Sequence, residues 1–229
     1  MKNNNYVGGH WVTGEGSIKN INPSDTNDII DEYTNATSQQ LNDAVASAHI
    51  AQKKWENVNI EKRANILHNI GSELIKQSKE IGTLLSREEG KTLPEGIGEV
   101  VRSGQQFQYY AASALRQFGE NIASTRDGVS VEMSREPVGV CGIISPWNFP
   151  IAMVGRSLAC SFATGNSTIV KTAELTPLSA TFFAKAIENA GSLEMAFLEK
   201  NMGWLTAIIA IAPMMGFTGT VAGMIFAFD

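Results

Sequence analysis

Charge is missing from one end of this sequence. Residues 201–228 hold no Lys, Arg, Asp or Glu, while forty of the forty-one charged residues lie in 1–200. An uncharged apolar run beyond about 18 residues reads as a membrane-spanning helix rather than a core helix. The reading is therefore two regions, 1–191 and 192–229, joined near 191–196, the second a single apolar helix. Cysteine is scarce: Cys141 and Cys160 stand in apolar surroundings, which suits reduced, buried thiols better than a disulfide. The three histidines, His10, His49 and His68, are far apart and have no Cys or acidic partner at ligand spacing, so no metal site is expected. Lys and Arg form no basic block and the net charge is −5, which excludes nucleic acid as the expected partner. The start, Met1-Lys2-Asn3-Asn4-Asn5-Tyr6, has no apolar signal-peptide core. That assigns 1–191 to the cytoplasm, with 202–228 as an inner-membrane anchor. No Gly-x-Gly-x-x-Gly stands between a strand and a helix, so a dinucleotide cannot be held by that turn.

What is present reads as an α/β protein. Val7–Val12 suggests one short strand, and Asn22-Pro23-Ser24-Asp25 a turn. Thr37-Ser38-Gln39-Gln40 is a capping box, and the following helix runs to Trp55 with Leu41, Ala44, Val45, Ala48 and Ala51 on one stripe. A second helix covers about 61–77, a third about 79–88 before Gly90, and a fourth opens at Pro94 and ends near Phe118-Gly119. Val129, Val131 and Met133 alternate with polar residues, as in a half-buried strand. Residues 137–144 are almost wholly apolar, as in a strand buried on both faces of a parallel sheet. A helix over about 151–162, a strand over 167–171, and a helix capped by Thr176 with Pro177 first and Gly191 as its stop complete a βαβ unit. This is an incomplete doubly wound, Rossmann-like sheet behind a helical scaffold.

Ligands of such sheets bind beyond the carboxyl ends of the strands. Two segments fall there: Ser145-Pro146-Trp147-Asn148-Phe149-Pro150 and Lys171-Thr172-Ala173-Glu174. Pro146 and Pro150 stiffen the backbone around Asn148, whose amide has the chemistry to stabilise an oxyanion. On residue chemistry alone the favoured reading is the cap of the next helix, with Trp147 in the core. Lys171 and Glu174 have the donor and acceptor to grip a ribose, but in isolation read first as a solvated charge pair at a strand end.

The pentapeptide Pro146-Trp147-Asn148-Phe149-Pro150, Gly165-Asn166, and Lys171-Thr172-Ala173-Glu174-Leu175-Thr176-Pro177 resemble motifs of the aldehyde dehydrogenase superfamily. Asn22-Pro23, Glu89-Gly90-Lys91 and Arg135–Val140 match it in order and spacing, so the resemblance covers about 5–191. The segment Ser86–Glu99 further resembles the 2-oxoglutarate semialdehyde branch. The resemblance implies NAD(P)⁺-dependent oxidation of an aldehyde to a carboxylate. Asn148 would be the oxyanion-hole amide, Lys171 and Glu174 the adenine-ribose contacts, and Ile144, Ser145, Pro146 and Trp147 the lining of the cofactor cleft. Glu174 would favour NAD over NADP. Thr172 stands where the family has proline, and Arg156 where the branch has lysine. The family's nucleophilic cysteine and general-base glutamate find no match, and Cys141 and Cys160 read as structural. The chain therefore reads as truncated before its catalytic residues, with aldehyde a substrate only of the full-length family.

Leu198–Leu205 and the run Ala212-Pro213-x-x-Gly216-x-x-Gly219-Thr220-Val221-x-Gly223-Met224 resemble the MotA/TolQ/ExbB proton channel family in its second transmembrane helix. That resemblance makes Thr220 a pore-facing hydroxyl and implies a membrane or helix partner for the tail. Pro213 is expected to bend the helix. Two rival functions follow: a membrane-tethered nucleotide-binding module without chemistry, and a fragment of a channel subunit.

Overall fold

The computed structural model describes residues 5–116, 119–195 and 208–210. Strands β1 (Asn5–Val7) and β2 (His10–Val12) precede a hairpin of β3 (Glu15–Ile21) and β4 (Ile29–Asn35). Helices α1 (Ser38–Trp55), α2 (Ile60–Lys76), α3 (Ser78–Glu89) and α4 (Leu93–Ala114) follow. A second hairpin, β5 (Glu120–Ala123) and β6 (Ser130–Met133), leads to β7 (Val140–Ile144), α5 (Pro150–Ala163), β8 (Ser167–Lys171), α6 (Thr181–Met195) and β9 (Ile208–Ala210). The main sheet has the order β2-β1-β9-β8-β7. Strands β7, β8 and β9 are parallel, and β1 runs antiparallel to both of its neighbours.

The local signals act where they stand in the chain. Thr37 and Gln40 form the capping box of α1, and Gly90 ends α3 at φ +83°. Val7–Val12 is two strands rather than one. Gly8 and Gly9 take φ of +59° and +87°, which makes a two-residue hairpin whose twist suits the strands. The β5–β6 pair forms, with Ile122 opposite Val131, but every residue in it is exposed. The alternation marks a strand correctly and overstates its burial, since Ile122, Val131 and Met133 stay 44 %, 39 % and 47 % exposed. Strand β7 is likewise half-buried, not buried on both faces, because it is the edge of the sheet. Cys141 in β7 is half-buried, Cys160 in α5 is exposed, and both are free thiols. Gly191 does not stop α6, which continues to Met195.

The tail departs most from expectation. Ile208–Ala210 is a strand, so one uninterrupted helix over 201–228 does not hold there. Helix α6 returns the chain to the free side of β8, where unpaired backbone groups invite a partner. Ile208 and Ile209, β-branched and suited to a pleat, answer it in the register Ile169↔Ile208 and Val170↔Ile209. Trp204, Pro213 and Thr220 lie outside the described residues. Among the described residues no helix is long and apolar enough to cross a membrane.

Helix α4 is the spine of the scaffold, packed against α2, α3 and α5. Its small residues set those approaches. A Cβ on Gly104 would lie 2.5 Å from Ile75 Cγ1 and 2.6 Å from the backbone oxygen of Gly71 on α2. One turn on, Phe107 stacks on Phe183 of α6 at 6.1 Å between ring centroids, both fully buried. Glycine inside a helix costs about 1 kcal/mol of propensity, and overpacking a close contact costs about 1–3 kcal/mol. Overpacking wins here because backbone cannot turn aside. Gly104→Val is therefore expected to lower unfolding free energy by about 3 kcal/mol, read from the urea midpoint. Unchanged stability would mean that α2 and α4 do not approach at this glycine.

Candidate active site at the carboxyl edge of the sheet

Strands β7 and β8 pair in parallel with Ile144 opposite Lys171. Both therefore end at one edge, and the Ser145 N–H donates to the Lys171 carbonyl across it at 3.0 Å. The loops that carry Asn148 and Glu174 leave the sheet side by side, as the βαβ reading requires. Ser145 is buried, while Ile144 is 79 % exposed and Trp147 52 %. Trp147 is thus not core. Apolar side chains on an open strand edge suit the flat faces of a bound ring.

Asn148 is not the cap of α5. Phe149 occupies that position and makes no side-chain cap bond. The cap comes instead from a distant residue, Glu99 on α4, whose Oε1 accepts from the N–H groups of Ile151 and Ala152 at 2.9 Å each. Pro150 at the helix start has no N–H to satisfy. The other Glu99 oxygen is paired with Lys91, and Glu89 Oε2 lies 2.8 Å from the same ammonium. Burial alone pulls the Lys91 ammonium down, but its bonds to Glu89 and Glu99 outweigh that and hold it above its ordinary value. Burial pushes the Glu89 carboxyl up against the pull of Lys91. Lys91 Nζ also donates to the Asn148 carbonyl at 3.4 Å and sits 4.6 Å from the centre of the Phe149 ring. The Asn148 backbone is thus tethered and its exposed amide left at a cleft of 490 Å³, which Lys91, Glu99, Arg102 and Phe149 also line.

On the second loop, Lys171 Nζ stands 3.7 Å from Glu174 Oε2, with side chains 23 % and 55 % exposed. An ion pair this open contributes little to stability and leaves the carboxylate accessible to a ligand. The loop is held from beneath. The Tyr33 hydroxyl donates to the Glu174 carbonyl at 3.0 Å. Burial is the main cause that raises the Tyr33 phenol, with the Glu174 and Glu88 charges adding to it.

Helix α6 starts at Thr181, not at Thr176. The reason is Glu88, a buried carboxylate that takes the N–H groups of Leu178 and Ser179 at 2.7 Å each. The Ser179 hydroxyl and the Asn20 amide also donate to it. Burial, the largest cause, pushes the Glu88 carboxyl from 4.5 up to about 7 against these four donors. A carboxyl whose folded pKa is raised contributes stability below its unfolded pKa and loses it as pH rises through the folded one. The chain should therefore lose stability relative to Glu88→Gln as pH rises from about 4.5 through about 7. Urea midpoints of both proteins across that range read the effect, and parallel profiles would contradict it.

Glu88, Lys91 and Glu99 carry no role legible in the sequence, because the partners that matter lie far away, 52 positions for Glu99–Ile151, 57 for Lys91–Asn148 and 91 for Glu88–Ser179. The run Glu88-Glu89-Gly90-Lys91 was the available signal: charges crowded at a helix end beside a glycine. No group of three or more potential metal ligands occurs among the described residues.

The aldehyde dehydrogenase family model matches residues 11–197. The chain is 35 % identical over 193 residues to the mitochondrial succinate-semialdehyde dehydrogenase of Arabidopsis thaliana, covering 83 % of this chain and 36 % of that protein. It is 33 % identical to the alpha-ketoglutaric semialdehyde dehydrogenase of Bacillus subtilis, covering 82 % and 39 %. An aldehyde dehydrogenase from Brucella melitensis biovar abortus superposes with TM-score 0.81 at 32 % identity, over 83 % of this chain and 40 % of that one. Betaine aldehyde dehydrogenase from Staphylococcus aureus, solved in complex with NAD⁺, shares the fold at TM-score 0.84 and 24 % identity, over 93 % and 42 %. The chain thus spans well under half the length of these proteins. The MotA/TolQ/ExbB proton channel family model matches residues 166–229, and the two matches share 166–197. The structure builds the described part of that shared stretch, β8 and α6, around the sheet edge that bears Lys171 and Glu174. Over most of its length, then, this chain belongs to the aldehyde dehydrogenase family.

Proposed function

We propose that residues 1–191 are the cofactor-binding part of a semialdehyde dehydrogenase that uses a nicotinamide dinucleotide. The observation that carries this is the placement of Asn148 and the Lys171–Glu174 pair on adjacent loops at one edge of parallel strands. The residues present fit the cofactor. Glu174 accepts from the adenine-ribose hydroxyls, Lys171 donates, and Ile144, Ser145, Pro146 and Trp147 line the cleft. Bound there, the nicotinamide would supply the hydride acceptor. A carboxylate at Glu174 repels a 2′-phosphate, which favours NAD over NADP. Asn148 supplies an amide donor for the oxyanion formed when a nucleophile adds to the aldehyde. Two semialdehyde dehydrogenases among the relatives support that substrate class.

This chain by itself turns over no aldehyde. Cys141 pairs within the sheet opposite Thr168 and Cys160 lies on α5, so neither thiol lies in the loops that frame the cleft. Without a thiolate to add to the aldehyde, no tetrahedral adduct forms for Asn148 to stabilise. Calorimetric titration with NAD⁺ should give a dissociation constant weaker than about 10 μM, about −7 kcal/mol, weakened further by Glu174→Ala. Semialdehyde oxidation abolished by Asn148→Ala would overturn the inactive reading. Tight binding indifferent to Glu174→Ala would overturn the ribose assignment. A second reading, a membrane or helix partner for 192–229, is favoured by the proton-channel match alone. It makes the first region a tethered nucleotide-binding module.

A further inference from the structure

Glu88 is buried, 3 % exposed, and among the described residues no cation binds it. A carboxylate in that position is costly, and in compensation four donors converge on it. Two are consecutive backbone N–H groups, Leu178 and Ser179, at the end of the loop that follows β8. Asn20, the fourth, reaches it from β3, the strand paired with the one that carries Tyr33. A cheaper helix start was at hand. Thr176 followed by Pro177 is a ready cap and first residue, yet the Thr176 hydroxyl is buried with no hydrogen-bond partner among the described residues and α6 begins five positions later. The carboxylate has displaced the local cap. The result is a longer loop, 172–180, pinned at its far end by Glu88 and near its start by Tyr33, with the Glu174 side chain held open to solvent between them.

We propose that Glu88 is a positioning residue for nucleotide binding, fixing the loop after β8 so that Lys171 and Glu174 face the ribose. The proposal rests on the ribose reading of that pair. Glu88→Gln keeps the volume but turns an NH₂ toward groups that are themselves donors, so the pin opens. With only the Tyr33 hydroxyl left to hold the loop, the Glu174 side chain loses its fixed aim, so it both loosens its grip on the 2′-hydroxyl and repels a 2′-phosphate less. The two cofactors therefore respond differently, which a loss of general stability would not produce.

The full chain and its Glu88→Gln variant are titrated with NAD⁺ and with NADP⁺, and their amide hydrogen exchange is followed without ligand. NAD⁺ affinity should fall about tenfold, while the ratio of NADP⁺ to NAD⁺ dissociation constants falls toward one. Exchange should accelerate in 172–180 and stay unchanged in β7 and α5. Ser179→Ala, which removes one donor and keeps both backbone N–H groups, should move every readout the same way by less, and it decides the matter if Glu88→Gln does not fold. Unchanged exchange in 172–180 overturns the pin. Faster exchange with an unaltered cofactor ratio overturns its role in binding. No NAD⁺ binding by the unaltered chain, or no preference for NAD⁺, overturns the ribose reading and with it the functional role, while the exchange result still judges the pin.

Discussion

Glu99→Ala should cost about 3–5 kcal/mol of unfolding free energy, the range for removing one partner of a buried ion pair. Three groups lose their acceptor together. The Ile151 and Ala152 N–H groups are orphaned at the start of α5, and Lys91 keeps Glu89 as its one carboxylate partner, a group that burial already pushes up. No side chain of α5's own cap residue can substitute. Glu99→Gln should cost less, because its carbonyl oxygen still accepts from the two N–H groups while the ammonium goes short. Urea unfolding of the three proteins reads the order. A loss below about 1 kcal/mol for the alanine variant, the value of an exposed pair, would mean that the carboxylate is not the cap. The loop that carries Asn148 starts from this corner, so its amide should become mobile in the same variant.

A chain ending at Met195 should unfold more easily by about 2–3 kcal/mol, the burial of one large side chain. The residue concerned is Tyr6. Among the described strands β1 reaches β8 through β9, with Tyr6 opposite Ile209. Without β9 the β1–β2 hairpin has no strand beside it, and isolated two-stranded ribbons are marginal. Tyr6, 3 % exposed and 4.9 Å from the Trp11 ring, should then meet water, and its phenol, held well above its ordinary value first by burial and then by Glu188, should titrate lower. The experiment also separates the two readings of the tail. Residues 208–210 cannot pair with β8 and lie in a spanning helix at once. If the full chain partitions to membranes and the shortened chain is equally stable, β9 does not form and the apolar tail is a membrane segment.

Much of this fold can be read where cause and effect lie close in the chain. Thr37 and Gln40, three apart, cap α1, and Asn166 follows a glycine at φ +83° into β8 as a turn should. The parallel pairing of β7 and β8 follows from two apolar runs around one amphipathic helix. What was not legible depends on distant partners. Thr176-Pro177 is a sound helix start that Glu88, 88 positions from Thr176, overrides through the next residues. Asn148 reads as a cap until Glu99 takes the N–H groups. The burial of β7, of β5–β6 and of Cys160 was overstated because hydrophobicity records a tendency to be covered, whereas coverage depends on which elements are adjacent. At the site, the residue types around Asn148 and Glu174 were evident, but the buried carboxylates that hold their loops were not.

As proposed, one sheet edge of this chain would hold the ribose of a nicotinamide dinucleotide. The most direct measurement is a crystal structure of the chain with NAD⁺. The adenine-ribose hydroxyls are expected on the Glu174 carboxylate, with Lys171 beside them and Ile144–Trp147 along the cleft. A dinucleotide bound away from the ends of β7 and β8, or one that leaves Glu174 free in solvent, would contradict it.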